Sequence, residues 1–184
     1  MRRKVGILLS GRGSNMMALV EAARDYDVAL IASDKPDAAG IAWARERGLG
    51  TFTQSPKGIP KAEYEAAIHS ALVEAGVEII ALAGYMRLLS DAFVARWAGR
   101  IINIHPSLLP KYKGLDTHAR AIAAGDAVAG CSVHIVTEEL DGGAVLGQAE
   151  VAILSGDTPD SLAARVLDAE HRLYPQILAE FVRR

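Results

Sequence analysis

The sequence predicts an α/β fold, a Rossmann-like open sheet that is parallel in its first half and mixed in its second, with helices on both faces. Three observations carry the prediction. The run Lys4–Leu9 is short and almost continuously apolar, as suits a parallel strand covered on both faces. A strand-helix-strand-helix rhythm is complete by residue 48. Two longer apolar stretches later flank Asp141-Gly142-Gly143, a turn signal that favours an antiparallel, hairpin-like pair.

Local pattern justifies each element in turn. After the strand Lys4–Leu9, the segment Ser14–Arg24 sets Met17, Leu19, Val20 and Ala23 near helical spacing, with Ser14 or Asn15 available as N-cap. Val28–Ala32 is the second strand, and Ala38–Arg47 a helix stopped by Gly48. Thr51–Thr53 is a weak strand before a polar loop, and a helix follows over Lys61–Ala75, ending at Gly76. Glu78–Ala83 and Ile101–Ile104 are buried strands separated by a short helix, Asp91–Ala98. A proline-containing loop, Pro106–Gly114, leads to a helix near Thr117–Ala124. Cys131–Thr137 and Ala144–Leu154 are the longer strands. Thr158-Pro159 supplies an N-cap and then a proline at the first helical position of a last helix that runs to the C-terminus.

Composition narrows the class. The 184 residues are 51% hydrophobic and 23% charged, which gives a sizeable core and rules out disorder. That is one domain's worth of chain, expected to span residues 1–184. Twenty basic residues against 22 acidic ones give a net charge of -2, and the basic residues are scattered, which argues against nucleic acid as a partner. No apolar run approaches the roughly 20 residues of a membrane helix. The apolar start Val5–Leu9 runs into a glycine turn rather than a cleavage site, so it reads as a strand and not a signal peptide. A lone cysteine, Cys131, excludes an internal disulfide framework and fits a reducing compartment, so a cytoplasmic location is expected.

In open α/β sheets ligands bind beyond the carboxyl ends of the strands, and three segments there carry chemistry. Ser10-Gly11-Arg12-Gly13-Ser14-Asn15 joins the first strand to the first helix. Its glycines permit a tight turn, and its exposed N–H groups with the helix dipole suit a phosphate. A dinucleotide suits it less, because the third glycine of that fingerprint falls at Met16, although Asp34 mimics the ribose-binding acid. The alternative is a turn that merely connects strand to helix.

Asn103 and His105 end a buried strand two residues apart, so alternation sends both to one face. An amide donor and an imidazole together can stabilise an oxyanion and move a proton. They can equally cap the strand end. Asp141, in its glycine turn, is either a turn former or the carboxylate that orients His105 and favours its charged form. Of the other histidines, His134 lies inside a strand and reads as structural, and no tight ligand spacing occurs, so no metal is expected.

Taken together, GRGSN, LAGYMRLLS, IINIHPSLLPKYKG, SVHIVTEELDGG and AEHRLYP, in that order, resemble the folate-dependent formyltransferases over nearly the whole chain. Within that group the resemblance is to the glycinamide ribonucleotide formyltransferases of purine synthesis. It implies 10-formyltetrahydrofolate as co-substrate, glycinamide ribonucleotide as acceptor, and a monomer or homodimer. It implies a catalytic trio of Asn103, His105 and Asp141. Gly11, Gly13, Ser14 and Asn15 would hold the ribonucleotide phosphate and Glu170 its ribose hydroxyls. Met86, Arg87, Leu88 and Leu89 would form the folate segment, joined by Lys61, by Thr137, Glu138, Glu139 and Leu140, and by Asn103 and Asp141 of the trio. The first hundred residues would then be mainly phosphate-binding and residues 101–184 folate-binding and catalytic.

Some positions depart from the pattern. Lys61 stands where the family often has arginine, which makes any carboxylate contact there a point charge rather than a fork. Lys113-Gly114-Leu115-Asp116 replaces a common Pro-Gly-x-His, and Leu167 stands where some relatives have glutamine. Two alternatives remain at this stage. A formyltetrahydrofolate deformylase shares the trio, but its regulatory domain does not fit in 184 residues. A non-catalytic phosphate-binding module would use GRGSN and Asp34.

Overall fold

A computed structural model describes all 184 residues, and it contains the expected sheet. Its elements in order are β1 (Arg3–Leu9), α1 (Ser14–Glu21), β2 (Tyr26–Ser33), α2 (Ala39–Glu46), β3 (Thr51–Thr53), α3 (Lys61–Glu74), β4 (Ile79–Leu82), α4 (Asp91–Arg96), β5 (Ile101–His105), α5 (Thr117–Ala123), β6 (Val128–Ile135), β7 (Val145–Ala152) and α6 (Pro159–Phe181). The seven strands lie in the order β3-β2-β1-β4-β5-β6-β7. Neighbours are parallel through β5, while β6 and β7 are antiparallel to what precedes them.

Alternation along the strands builds two cores. Val5, Ile7 and Leu9 of β1 face the larger one, with Met16 and Leu19 of α1, Ile41 of α2, Ala121 of α5 and Leu162, Val166, Tyr174 and Leu178 of α6. Leu8 faces the other, with Tyr64, Ile68 and Leu72 of α3 and Phe93 of α4. Helices thus cover both faces. The longest, α6, begins with a reciprocal cap: the Thr158 hydroxyl accepts from Ser161 N at 3.1 Å, Ser161 Oγ accepts from Thr158 N at 2.9 Å, and Pro159 follows the cap. Tyr174 fastens α6 to the sheet by sharing its hydroxyl between the carbonyls of Leu82, 2.9 Å away, and Ile102, 3.2 Å away.

Three local readings need correction. The N-cap of α1 is Gly13 in a left-handed conformation (φ 78°), not Ser14 or Asn15, and no side chain caps the helix. β6 starts earlier than expected, at Val128, because the small residues Ala129 and Gly130 pair with Val151 and Glu150 of β7 despite weak strand propensity. It also ends at Ile135 rather than Thr137: Val136 N donates to the carbonyl of Ile101 at 2.8 Å as the last rung of the β5–β6 register, and β5 begins at Ile101, so Thr137 has no partner strand.

Order along the sheet reverses at β1: the chain runs outward through β2 to β3 on one side and then returns to place β4 on the other. The loops after β1 and β4, residues 10–13 and 83–90, diverge from this switch point, where an open sheet forms its crevice. No helix is long and apolar enough to cross a membrane.

Candidate active site

A cleft of about 1080 Å³ opens at this place. Every residue to which the resemblance assigns a role lines it: Gly11, Gly13, Ser14, Asn15, Lys61, Met86, Arg87, Leu88, Leu89, Asn103, His105, Thr137, Glu138, Glu139, Leu140, Asp141 and Glu170. Its volume lies at or above the upper end of single small-molecule sites, which leaves room for two ligands side by side.

One region is built for an anion. Gly13 ends the glycine turn in the left-handed region, which places the first-turn N–H groups of α1 beyond the reach of any capping side chain, and no acidic residue occupies that turn. A Cβ on Gly13 would stand 2.9 Å from Met16 Cε and 3.1 Å from Gly40 Cα, so the turn is also pinned from behind by α2. Beside it, Asn15 Nδ2 donates to Glu170 Oε2 at 2.8 Å, while Asn15 Oδ1 is buried without a partner. Burial pushes the Glu170 carboxyl up to about 7, against the opposing pull of the Asn15 amide.

A second region is apolar. Met86 and Leu88 are 69% exposed and Leu140 52%, an unusual display of large hydrophobic side chains that suits a flat aromatic ligand. The backbone here is set by a latch: Ser10 Oγ donates to Asp34 Oδ1 at 2.6 Å and accepts from Met86 N at 2.9 Å. Asp34 is 7% exposed and does not line the cleft. Its carboxylate is therefore engaged in positioning the Met86 segment, and the reading of Asp34 as a ribose-binding acid is set aside.

Asn103 and His105 both project into the cleft, as alternation along β5 requires. His105 Nε2 lies 2.9 Å from the carbonyl of Tyr112, which can only accept, so this nitrogen carries a proton. Its Nδ1 faces Asp141 Oδ2 at 3.5 Å. A doubly protonated ring thus has an acceptor for each N–H. Asp141 sits in the turn between β6 and β7 with a left-handed backbone (φ 48°), and the same oxygen accepts from Gly114 N at 2.9 Å. Lys113, at one of the departures from the family pattern, reaches Glu139 Oε1 at 2.8 Å and ties the two loops together a second time.

His134, read from sequence as structural, belongs to the site. The β5–β6 register sets it directly opposite Asn103, so the two side chains share a face. Its Nδ1 donates to the carbonyl of Ile135 at 3.0 Å, and Nε2 lies 3.3 Å from Asn103 Nδ2. Burial lowers its pKa against the opposing pull of Asp141, whose Oδ1 lies 3.5 Å from Nε2, and in the neutral ring Nε2 accepts from the Asn103 amide. The signal was available only through strand pairing: an antiparallel partner for β5 brings a polar residue of β6 beside Asn103. His118 also lines the cleft, with its pKa lowered by burial and by His105 nearby. Cys131 is fully buried in the larger core and its thiol is pushed up to about 12, chiefly by burial, so it is no nucleophile at neutral pH. No group of three or more His, Cys, Asp or Glu side chains is arranged to hold a metal ion.

An uncapped helix N-terminus, an amide donor and an imidazole–carboxylate pair share one crevice at the switch point of an α/β sheet, the arrangement of an enzyme site that can take an anionic small molecule and move a proton beside it. Residues 3–178 match the family model described as formyl transferase, and the chain belongs to that family. It is 43% identical over 180 residues to phosphoribosylglycinamide formyltransferase of Escherichia coli K12, covering 95% of this chain and 85% of that one. It is 45% identical over 188 residues to the trifunctional purine biosynthetic protein adenosine-3 of Drosophila melanogaster, covering 98% of this chain but spanning only 14% of that protein's length. The crystal structure of phosphoribosylglycinamide formyltransferase from Brucella melitensis superposes with a TM-score of 0.94 at 50% identity, over 99% of this chain and 96% of that one.

Proposed function

We propose that this protein transfers the formyl group of 10-formyltetrahydrofolate to the amine of 5'-phosphoribosylglycinamide, a step of purine biosynthesis. The observation that carries the reading is that the uncapped anion turn, the apolar patch and the Asn103–His105–Asp141 cluster open onto one cleft. In this reading Gly11, Gly13, Ser14 and Asn15 take the phosphate. Glu170 accepts from the ribose hydroxyls, and the buried, unpartnered Asn15 Oδ1 is completed by a donor of the same substrate. Met86, Leu88, Leu89 and Leu140 flank the pterin, Arg87 and Lys61 meet the anionic tail, and Thr137, Glu138 and Glu139 close the loop over it. Residues 1–100 supply most of the phosphate site and 101–184 most of the chemistry, with Met86–Leu89 and Glu170 crossing that division.

The chemistry follows from the side chains. As the acceptor amine attacks the formyl carbon, Asn103 donates to the developing oxyanion, its amide held by neutral His134. Protonated His105 stabilises the same charge, with Asp141 holding the ring. One N–C bond forms and one breaks: the amine gives up a proton, the departing folate nitrogen gains one, and His105 is the group placed to relay it. No covalent enzyme intermediate is required, in keeping with the buried, protonated Cys131.

The test is an absorbance assay of the purified protein with 10-formyltetrahydrofolate, run with and without glycinamide ribonucleotide. Turnover that depends on the acceptor is expected. Equal turnover without it would replace the transferase by a deformylase, and no turnover in either arm would overturn both.

A further inference from the structure

The Tyr112 carbonyl that holds His105 belongs to a residue outside the cleft, in an unusual conformation. Tyr112 has φ 55°, a left-handed backbone that aromatic residues seldom adopt and that persists only where the surroundings impose it. Those surroundings are explicit. The Tyr112 hydroxyl donates to Asp126 Oδ2 at 2.7 Å, and Lys111 Nζ reaches both Asp126 oxygens at 3.0 Å. The Lys111 carbonyl accepts from Ser107 Oγ at 2.6 Å, and the Ser107 carbonyl accepts from the buried Ser132 Oγ at 2.6 Å. Ser132 is the residue opposite His105 in the β5–β6 register, so the loop is anchored back onto the strand pair that carries the imidazole.

We propose that Tyr112 and Asp126 are positioning residues for His105: Asp126 fixes the Tyr112 side chain, the side chain fixes the left-handed turn, and the turn aims the carbonyl that holds His105 Nε2–H. Neither residue lines the cleft, so they act on it through the loop that carries them, by the Tyr112 carbonyl on His105 and, two residues on, by Gly114 N on the Asp141 carboxylate that faces the same ring. With Nε2 committed to Tyr112, Nδ1 is the nitrogen left to face Asp141 and the reacting groups. The outcome is a ring that cannot turn over or exchange tautomers between cycles. This role rests on the proposed formyl transfer for its kinetic consequence, but not for its structural one.

The experiment compares the full-length wild type with Tyr112→Phe, Asp126→Ala and Asp126→Asn. One arm follows the His105 Nε2–H proton by NMR in ¹⁵N-histidine-labelled protein without substrate. The other measures kcat, and KM for both substrates. In the wild type the Nε2–H proton should be protected from exchange by the Tyr112 carbonyl. Tyr112→Phe and Asp126→Ala should lose that protection and lower kcat about ten- to hundredfold, with each KM within about twofold, as for a misaimed catalytic group. Asp126→Asn keeps an acceptor for the Tyr112 hydroxyl and should retain both protection and kcat to within about threefold. Unchanged protection and kcat in Tyr112→Phe and Asp126→Ala would overturn the proposal, as would equal losses in Asp126→Asn. A wild type that transfers no formyl group would overturn the proposed activity, while the proton signal would still decide this inference.

Discussion

His105 meets an acceptor at each ring nitrogen, Tyr112 O at 2.9 Å and Asp141 Oδ2 at 3.5 Å, and that arrangement favours a held, chargeable ring over a packing residue. Replacing it tests the point: His105→Ala should lower formyl transfer about a hundred- to ten-thousandfold while circular dichroism and the thermal midpoint stay near wild type. Glu170 gives a second prediction, on stability. The folded chain holds its proton between pH 4.5 and about 7, where the unfolded chain has released it. The ionised carboxylate therefore costs stability progressively as pH rises through that window, and fully above it. Glu170→Gln should raise the thermal stability at pH 8 by up to about 3 kcal/mol, with the difference vanishing near pH 4. A midpoint difference that is the same at both pH values would contradict the account. At this scale sequence spacing exposed Asn103 and His105, whose two-residue separation needs only strand alternation. It did not expose His134 or the Tyr112 carbonyl, because both reach the site through pairing and loop conformation rather than through residue type.

At the scale of elements, the turn into α1 and the turn out of β6 hold the chemistry in place. Gly13→Ala would set a Cβ 2.9 Å from Met16 Cε in a left-handed residue. The expected cost is roughly 1–2 kcal/mol of stability, measured by urea unfolding, together with weaker affinity for the phosphorylated substrate. Gly143 is still less replaceable, since a Cβ there would fall 1.8 Å from the carbonyl of Ile135. Gly143→Ala should displace the Asp141 turn and lower kcat, as steady-state assay would register. Helix and strand identities were legible throughout the chain because apolar periodicity marks them, with glycine stops such as Gly48 after α2 and Gly76 after α3 in agreement. The N-cap of α1 was not legible because Ser14 and Asn15 are good caps by residue type, whereas the left-handed Gly13 takes that place and leaves the first-turn N–H groups open to the phosphate of the proposed substrate. The apolar run alone extends β6 to Thr137, whereas its end is set by where β5 begins, the Val136–Ile101 bond being the last rung that strand offers.

The whole molecule is a sheet read correctly as parallel and then mixed, because continuous apolar strands alternate with helices up to β5 and a glycine turn joins the last two. Strand order was not legible, and with it the location of the crevice at the β1/β4 switch point, since order depends on which faces pack and not on local pattern. α6 closes the structure, and its Tyr174 hydroxyl serves two strand-end carbonyls in a fully buried position. Tyr174→Phe should remove about 1–2 kcal/mol and lower the thermal midpoint by roughly 3–6 °C, measurable by calorimetry. In the proposed reaction one cleft brings a formyl donor and an amine acceptor together for direct transfer. Its most direct test follows a ¹³C-labelled formyl group from 10-formyltetrahydrofolate by NMR in the presence of glycinamide ribonucleotide. The label should appear on the acceptor amine in step with loss of the folate signal, with no release when the acceptor is omitted. Label accumulating as free formate, with or without acceptor, would contradict it.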